Sequence, residues 1–283
     1  MSPTDPLELF DADAETAILM DRRARHIDEA AAAAGLTVRG QWLIDGRLGR
    51  SSVHAALLAP STPAAGHELP KRITTPCASY TRLMDRFYLP DDSGPDVSAA
   101  LFDIVARKYD QLTQTEINLA TAELLLEAAC SGRNPLPTRI LDFGCGTGVA
   151  FAAARRMAPA DTGPELTGTD ISPAMLRQAA DRGQTVISFE EWRQLPPDSF
   201  DAAIAVFVMH YGVPPQDLEI IASQMRRGAR FAANYFKPRP GAVSALTSIL
   251  KRFGLVLERD EPLRTTPSDN RLLIFVKTGG DGR

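Results

Sequence analysis

The segment that most limits what this chain can become is Ile140-Leu-Asp-Phe-Gly-Cys-Gly-Thr-Gly148. It is an apolar run ending on alternate glycines, and the breaker-free stretch Val149 to Met157 follows at once. The run reads as a strand and the stretch as a helix. Glycines are needed between them where the backbone turns sharply and where a ligand must approach with no Cβ in the way. The helix N-terminus that follows offers unpaired N–H groups to the same place. A strand, a glycine turn and a helix in that order fit an open α/β sheet, whose ligands lie at the carboxyl ends of the strands. The plainer alternative is a strand-to-helix turn that binds nothing.

The surrounding chain repeats the pattern. Short apolar runs bounded by glycine, proline or acid fall at Arg139–Phe143, Glu165–Thr169, Thr185–Ser188, Phe200–Met209, Arg230–Tyr235, Gly254–Glu258 and Leu272–Lys277. Helical stretches separate the first five, which predicts a mostly parallel sheet with right-handed crossovers. Arg259 to Arg271 joins the last two without a helical pattern, so they are expected to pair antiparallel at the sheet edge. Ala99–Tyr109 and Thr115–Cys130 are helical by period.

Residues 1–95 read differently, as one helix among irregular polar segments. Asp13 to Ala34 contains no glycine or proline and stops at Gly35, which predicts a helix ending on a C-cap glycine. Thr37–Arg50, with its Asp45-Gly46 pair, reads as a hairpin or a short strand with a tight turn. Pro60–Gly66 reads as a loop, Arg82–Leu89 as a short amphipathic piece and Pro90–Pro95 as a linker. The expected organisation is a cap or substrate region over residues 1–95 and a ligand-binding domain over residues 96–283.

Composition narrows the function classes. The chain has 283 residues, of which 44% are hydrophobic and 23% charged, and this excludes wholesale disorder. Lys+Arg 31 against Asp+Glu 35 gives a net charge of -4, without the basic excess of a nucleic-acid binder. Cys77, Cys130 and Cys145 suit neither a disulfide framework nor metal-ligand spacing, so no metal is expected. The N-terminus is acidic and broken by prolines, unlike a signal peptide. No apolar run reaches the ~18 residues that span a bilayer. A cytoplasmic protein with no membrane partner is the expectation.

Two carboxylates join the glycines. Asp142 ends the first run and Asp170 the second, in Thr167-Gly-Thr-Asp-Ile-Ser172. One could accept both hydroxyls of a ribose and the other could hold an ammonium. The bland reading of Asp170 is a helix cap, but Ser172, ahead of Pro173, can cap the helix Pro173–Arg182. That leaves Asp170 for a ligand. The dinucleotide fingerprint needs a glycine where this chain has Val149, so the spacing disfavours it.

LDFGCGTG, TGTDISPAML and LPPDSFDAAIAVFVMHY resemble, in order, the first motif, the second motif and the run into the fourth strand of the class I S-adenosylmethionine-dependent methyltransferases. The likeness extends over residues 97 to 277 and includes the terminal antiparallel pair. It implies a Rossmann-like, seven-stranded, mostly parallel sheet with a terminal antiparallel hairpin. It also implies S-adenosyl-L-methionine as cofactor and a small-molecule methyl acceptor, O- or N-methylation being favoured. Asp142 and the loop of Gly144, Cys145, Gly146 and Gly148 would hold the methionine end. Asp170 would take the ribose hydroxyls, with Ile171 and Met175 near adenine and Val206 a further contact. Glu190, Glu191 or the Phe189 backbone would read the adenine amine, unless both glutamates are simply solvated. Tyr109 would cover the cofactor's carboxylate or else pack into the core.

Methyl transfer is an in-line displacement that asks for alignment, desolvation and sometimes a base. His210 and Tyr211, directly after the fourth run, are the catalytic candidates, with His210 either a base or a wall residue. Asn234 and Tyr235 are candidates for lining the acceptor site. His26, on a polar helix face, and His67 read as bystanders, and His54 is ambiguous. Cys145 is not expected to be a nucleophile, nor Cys77 to be activated. Met225–Arg230 reads as a helix C-terminus with favourable cations.

The Asn/Asp-Pro-Pro-aromatic signature of base-amine enzymes, the Pro-Cys of cytosine-C5 enzymes and the double-glutamate hairpin of arginine methyltransferases are all missing. No nucleic-acid partner is therefore expected, and a homodimer is allowed. Two other classes stay open. One is a protein of the same fold that binds the cofactor without methylating, as a pericyclase-like catalyst or regulator. The other is a nicotinamide oxidoreductase, which the glycine spacing disfavours.

Overall fold

The computed structural model describes residues 16–44, 51–61, 68–84, 86–132, 137–158, 163–265 and 269–278. Two units divide between Val105 and Ala106. The first contains β1 (Ala17–Asp21), α1 (Ala24–Ala33), β2 (Leu36–Ile44), β3 (Val53–Pro60), β4 (Arg72–Thr74), β5 (Ser79–Leu83), β6 (Phe87–Pro90) and α2 (Pro95–Val105). Its sheet has the order β2-β3-β1-β6-β5-β4, where sequence reading expected one helix, a hairpin or short strand within Thr37–Arg50, and irregular segments.

The single helix expected over Asp13–Ala34 is corrected. Ala17 to Asp21 is a strand buried at every position, pairing antiparallel with β3 and parallel with β6. A short apolar run sealed on both faces has no alternation to distinguish it from a buried helix. Asp21 Oδ1 accepts the N–H of Arg23, and α1 starts beyond it and ends before Gly35 (φ 66°). Arg82–Leu89 is likewise no single piece but the end of β5 and most of β6. Pro90 closes β6 and Pro95 opens α2, so both ends of the expected linker are structured. The Asp45-Gly46 turn, most of the Pro60–Gly66 loop and His67 lie outside the described residues.

The second unit begins with a 3-10 turn, Ala106–Lys108, then α3 (Tyr109–Leu112) and α4 (Thr115–Cys130). Next come β7 (Arg139–Phe143), α5 (Val149–Met157), β8 (Glu165–Thr169), α6 (Pro173–Asp181), β9 (Thr185–Val186), α7 (Phe189–Arg193) and β10 (Phe200–Ala205). A 3-10 turn at Met209–Tyr211 leads to α8 (Pro215–Gln224), β11 (Met225–Phe236), α9 (Ala242–Arg252), β12 (Leu255–Pro262) and β13 (Asn270–Lys277). The sheet order is β12-β13-β11-β10-β7-β8-β9. β7 to β11 run parallel, and β13 is antiparallel to both β11 and β12, as expected from the helix-free connection.

One reading here is overturned. Met225–Arg230 is not a helix C-terminus but the first half of β11, because α8 already ends at Gln224. Gly228 (φ 78°) marks the irregular register between Phe200 and Ala202 on the partner strand. Two apolar layers sandwich the sheet. One gathers Phe143, Phe189, Trp192, Phe231 and Phe275 under α7, α8 and α9. The other gathers Ile140, Ile204 and Ile274 under α4 and α5. Among the described residues, no helix is long and apolar enough to cross a membrane.

Phe231 is fully buried beside Phe275, with ring centroids 6.1 Å apart. Phe231→Ala is expected to cost about 3–5 kcal/mol, read as a lower urea midpoint. Val256→Ala, at a site 40% exposed, should stay within about 0.5 kcal/mol.

Candidate functional site

The turn after β7 is held open by left-handed backbone at Gly144 (φ 72°), Gly146 (φ 54°) and Gly148 (φ 90°). At Gly144 the requirement is also steric, since a Cβ would come within 2.4 Å of Val208. At Gly146 nothing lies within 4 Å of the Cβ position, so the backbone faces open space. A crevice opens there, lined by the glycine turn, Tyr109, Asp110, Asn118, Arg182 and Phe207.

Asp170 fastens the turn from below. Its Oδ2 accepts the N–H of Gly146 at 2.9 Å and its Oδ1 that of Ser172 at 2.8 Å. Ser172 does cap α6, accepting the N–H of Met175 at 3.1 Å. Asp170 is nevertheless not left free, as the sequence reading had it, because it serves as the brace between the two strand ends. Met175 is buried at the start of α6, and Ile171 packs against the aromatic layer.

Asp142 is almost fully buried, and its Oδ2 accepts from Gln184 Nε2 at 3.0 Å. Among the described residues its Oδ1 is buried without a partner. Burial pushes this carboxyl up to about 7; the Gln184 hydrogen bond opposes the rise, and the charge of Asp170 adds to it. Cys145 is buried beside Gly168, and desolvation raises its thiol further out of reach of ionisation, which fits the non-nucleophilic reading.

The segment before the turn reaches the same place. Burial raises the Tyr109 phenol, with Tyr211, Asp170 and Asp110 adding to the effect. Asp110 accepts from Thr147 Oγ1 at 2.8 Å and pairs with Arg182. Asp110, Thr147, Arg182 and Gln184 were all missed from sequence. The dipeptide Tyr109-Asp110 was the available signal for the first of them, and isolated polar residues carried none for the rest.

At the end of β10 the chain turns through Phe207, in left-handed conformation (φ 55°), and on to His210 and Tyr211. The two rings lie 4.1 Å apart, and His210 also meets the edge of Phe236. Burial, then the charge of Lys237, hold the His210 imidazole down to about 4. Burial pushes the Tyr211 phenol up to about 12. Val206 lines the crevice just before this turn.

Several sequence candidates have other occupations. Asn234, read as acceptor lining, is wholly buried; its Oδ1 accepts from the Phe207 N–H and its Nδ2 donates to Asn270. Glu191 closes a capping box with Ser188. The Phe189 ring belongs to the core with Phe143 and Trp192, and Glu190 beside it is partly exposed. Tyr235 is half-buried near the end of β11. His26 is not on a polar face but buried 3.4 Å from Asp21, while His54 is partly exposed on β3. Among the described residues no cluster of His, Cys, Asp and Glu could hold a metal.

The residues fit a nucleoside cofactor with an amino-acid tail. Gly146 leaves backbone open to it, and the unpartnered Asp142 Oδ1 gives it a polar atom to satisfy. A family described as a methyltransferase domain matches residues 140–230. The chain is 41% identical over 93 residues to the biotin biosynthesis bifunctional protein BioCD of Bordetella avium (32% of this chain, 18% of that protein). It is 32% identical over 111 residues to an 18S rRNA (guanine-N(7))-methyltransferase of Bos taurus (38% of this chain, 37% of that protein). It thus spans well under half the length of these curated relatives.

Among solved structures, the Burkholderia thailandensis 1,6-didemethyltoxoflavin-N1-methyltransferase superposes with a TM-score of 0.51. The match covers 74% of this chain and 100% of that one at 17% identity.

Asp142 also gives the site a pH signature. Its pKa is raised from 3.8 to about 7, so the folded state holds a proton that the unfolded chain releases. The stability this gives is full below the ordinary carboxylate range and is lost as pH climbs through about 7. Wild type should therefore lose up to about 1.4 kcal/mol per pH unit across that window relative to Asp142→Asn, read from paired urea midpoints. A constant difference between the two proteins would contradict the assignment.

Residues 140–230 match a methyltransferase domain, and the second unit has the fold of the class I S-adenosylmethionine-dependent methyltransferases.

Proposed function

We propose that this protein transfers a methyl group from S-adenosyl-L-methionine to the oxygen or nitrogen of a small-molecule acceptor. The observation that carries the reading is the open glycine turn at the carboxyl ends of β7 and β8, with Asp170 bracing Gly146 and Asp142 buried beneath. When bound, the cofactor supplies an activated methyl group on a cationic sulfur.

The chain's own part is alignment and exclusion of water. The glycine turn presents backbone to the cofactor, and Asp170, while it holds the turn, would accept from the ribose hydroxyls. Tyr109, Tyr211 and His210 wall the region beyond β10. His210, held at about 4, is neutral near pH 7. It suits accepting a hydrogen bond from an acceptor hydroxyl or amine better than carrying off its proton, since burial disfavours the imidazolium. Tyr211 at about 12 stays protonated and can donate.

Acceptor selection falls in this proposal to residues 1–95. Between β11 and β12 the chain holds little more than α9, which leaves no room there for an inserted acceptor domain.

The direct test incubates the full chain with S-adenosyl-L-methionine and a panel of small phenols, enols and amines, with S-adenosylhomocysteine and methylated product read by mass spectrometry. Acceptor-dependent formation of both is expected. Tight cofactor binding with no product from any acceptor would favour a non-methylating protein instead, and binding of NAD(H) in its place would end the proposal.

Removing the first unit, residues 1–105, should lower turnover at least about 100-fold while S-adenosylhomocysteine still binds. Unchanged turnover would show that acceptor selection lies elsewhere.

A further inference from the structure

Among the described residues lining the crevice, Arg182 is the sole cation and Asp110 the sole carboxylate, and the two are paired with each other. They come from separate elements. Asp110 sits in the first turn of α3, and Arg182 is the C-cap residue of α6. Thr147, inside the glycine turn, donates its hydroxyl to Asp110 Oδ1 at 2.8 Å, so the carboxylate is anchored to the turn independently of Arg182. Both members are partly exposed, Arg182 at 41% and Asp110 at 34%. An ion pair in such a position is weak and easily exchanged.

The other acids nearby, Asp142 and Asp170, are not among the residues that line this crevice. Asp170 spends both oxygens on backbone N–H groups, and Asp142 lies beneath the turn with one oxygen on Gln184.

A cofactor whose tail is an amino acid brings one ammonium and one carboxylate into this crevice. We propose that Asp110 and Arg182 form the receptor for that zwitterionic tail, trading their mutual ion pair for a contact with the α-ammonium and a contact with the α-carboxylate. The guanidinium offers a planar fork matched to a carboxylate. Thr147 keeps Asp110 in register with the glycine turn through the exchange. Charge is conserved in the crevice, since one opposite pair is replaced by two. The inference rests on the cofactor reading above and adds which side chains recognise the tail.

Calorimetric titration with three probes separates the two levels. S-adenosylhomocysteine carries both charged groups, its decarboxylated analogue carries the ammonium alone, and 5′-methylthioadenosine carries neither. Arg182→Gln should weaken S-adenosylhomocysteine about tenfold or more and leave the other two unchanged. Asp110→Asn should weaken both amine-bearing probes and spare 5′-methylthioadenosine, whose retained binding also shows that each variant is folded. Arg182→Lys should fall between wild type and Arg182→Gln.

Parallel losses for all three probes would mean a structural brace and overturn the proposal, as would unaltered affinity for S-adenosylhomocysteine. If wild type binds none of the probes, the cofactor reading itself fails. If wild type binds and the variants do not discriminate, only the receptor assignment fails.

Discussion

The hydrogen bond from the Gly146 N–H to Asp170 Oδ2 is the contact on which the candidate site depends. It ties the exit of β7 to the exit of β8 through a turn whose glycines all sit in left-handed backbone. Without it the turn would keep its conformational freedom, and glycine freedom is costly to quench on binding. With it the loop is shaped before any ligand arrives. Asp170 therefore braces the protein first, and the ribose contact proposed above would be a second task for the same carboxylate.

Beneath that brace the charges are sorted by depth. Asp142 is sealed from water and answers by holding a proton more tightly, with Gln184 donating to its carboxyl. Asp110 and Arg182 lie at the rim, where solvent supports both charges. His210 lies in a dry aromatic corner with Phe236 and Tyr211 and is kept neutral there. The site thus carries few fixed ions where the reacting group would lie, which suits a displacement in which a cation loses its charge.

The second unit was legible because its signals are local. Apolar runs cut by glycine and acid gave β7 and β8 their bounds, and the missing helix between Arg259 and Arg271 gave the antiparallel pair. The first strand of the other unit was not legible, because Ala17–Asp21 is buried on both faces and lacks the alternation that marks a strand. Its partners β3 and β6 are distant in sequence, and pairing at that range leaves no local trace. At the candidate site, residue types pointed to Asp142, Asp170, His210 and Tyr211, which lie at or just beyond the carboxyl ends of β7, β8 and β10. They could not reveal that Asp170 clamps a loop, that Asn234 is structural, or that Arg182 reaches across to Asp110. Those facts depend on side chains meeting across elements.

The left-handed Phe207 is the feature with the longest reach. Its N–H is satisfied by Asn234 Oδ1, and the amide of Asn234 goes on to Asn270 at the start of β13. A bulky residue in that conformation persists only where its surroundings over-determine it. The final hairpin is consequently part of the scaffold that aims the β10 corner: trimming the chain from its C-terminal side would disturb chemistry far from the cut. The same relay couples the first residue of β13 to the corner, since the Asn270 side chain accepts from the amide that holds Phe207.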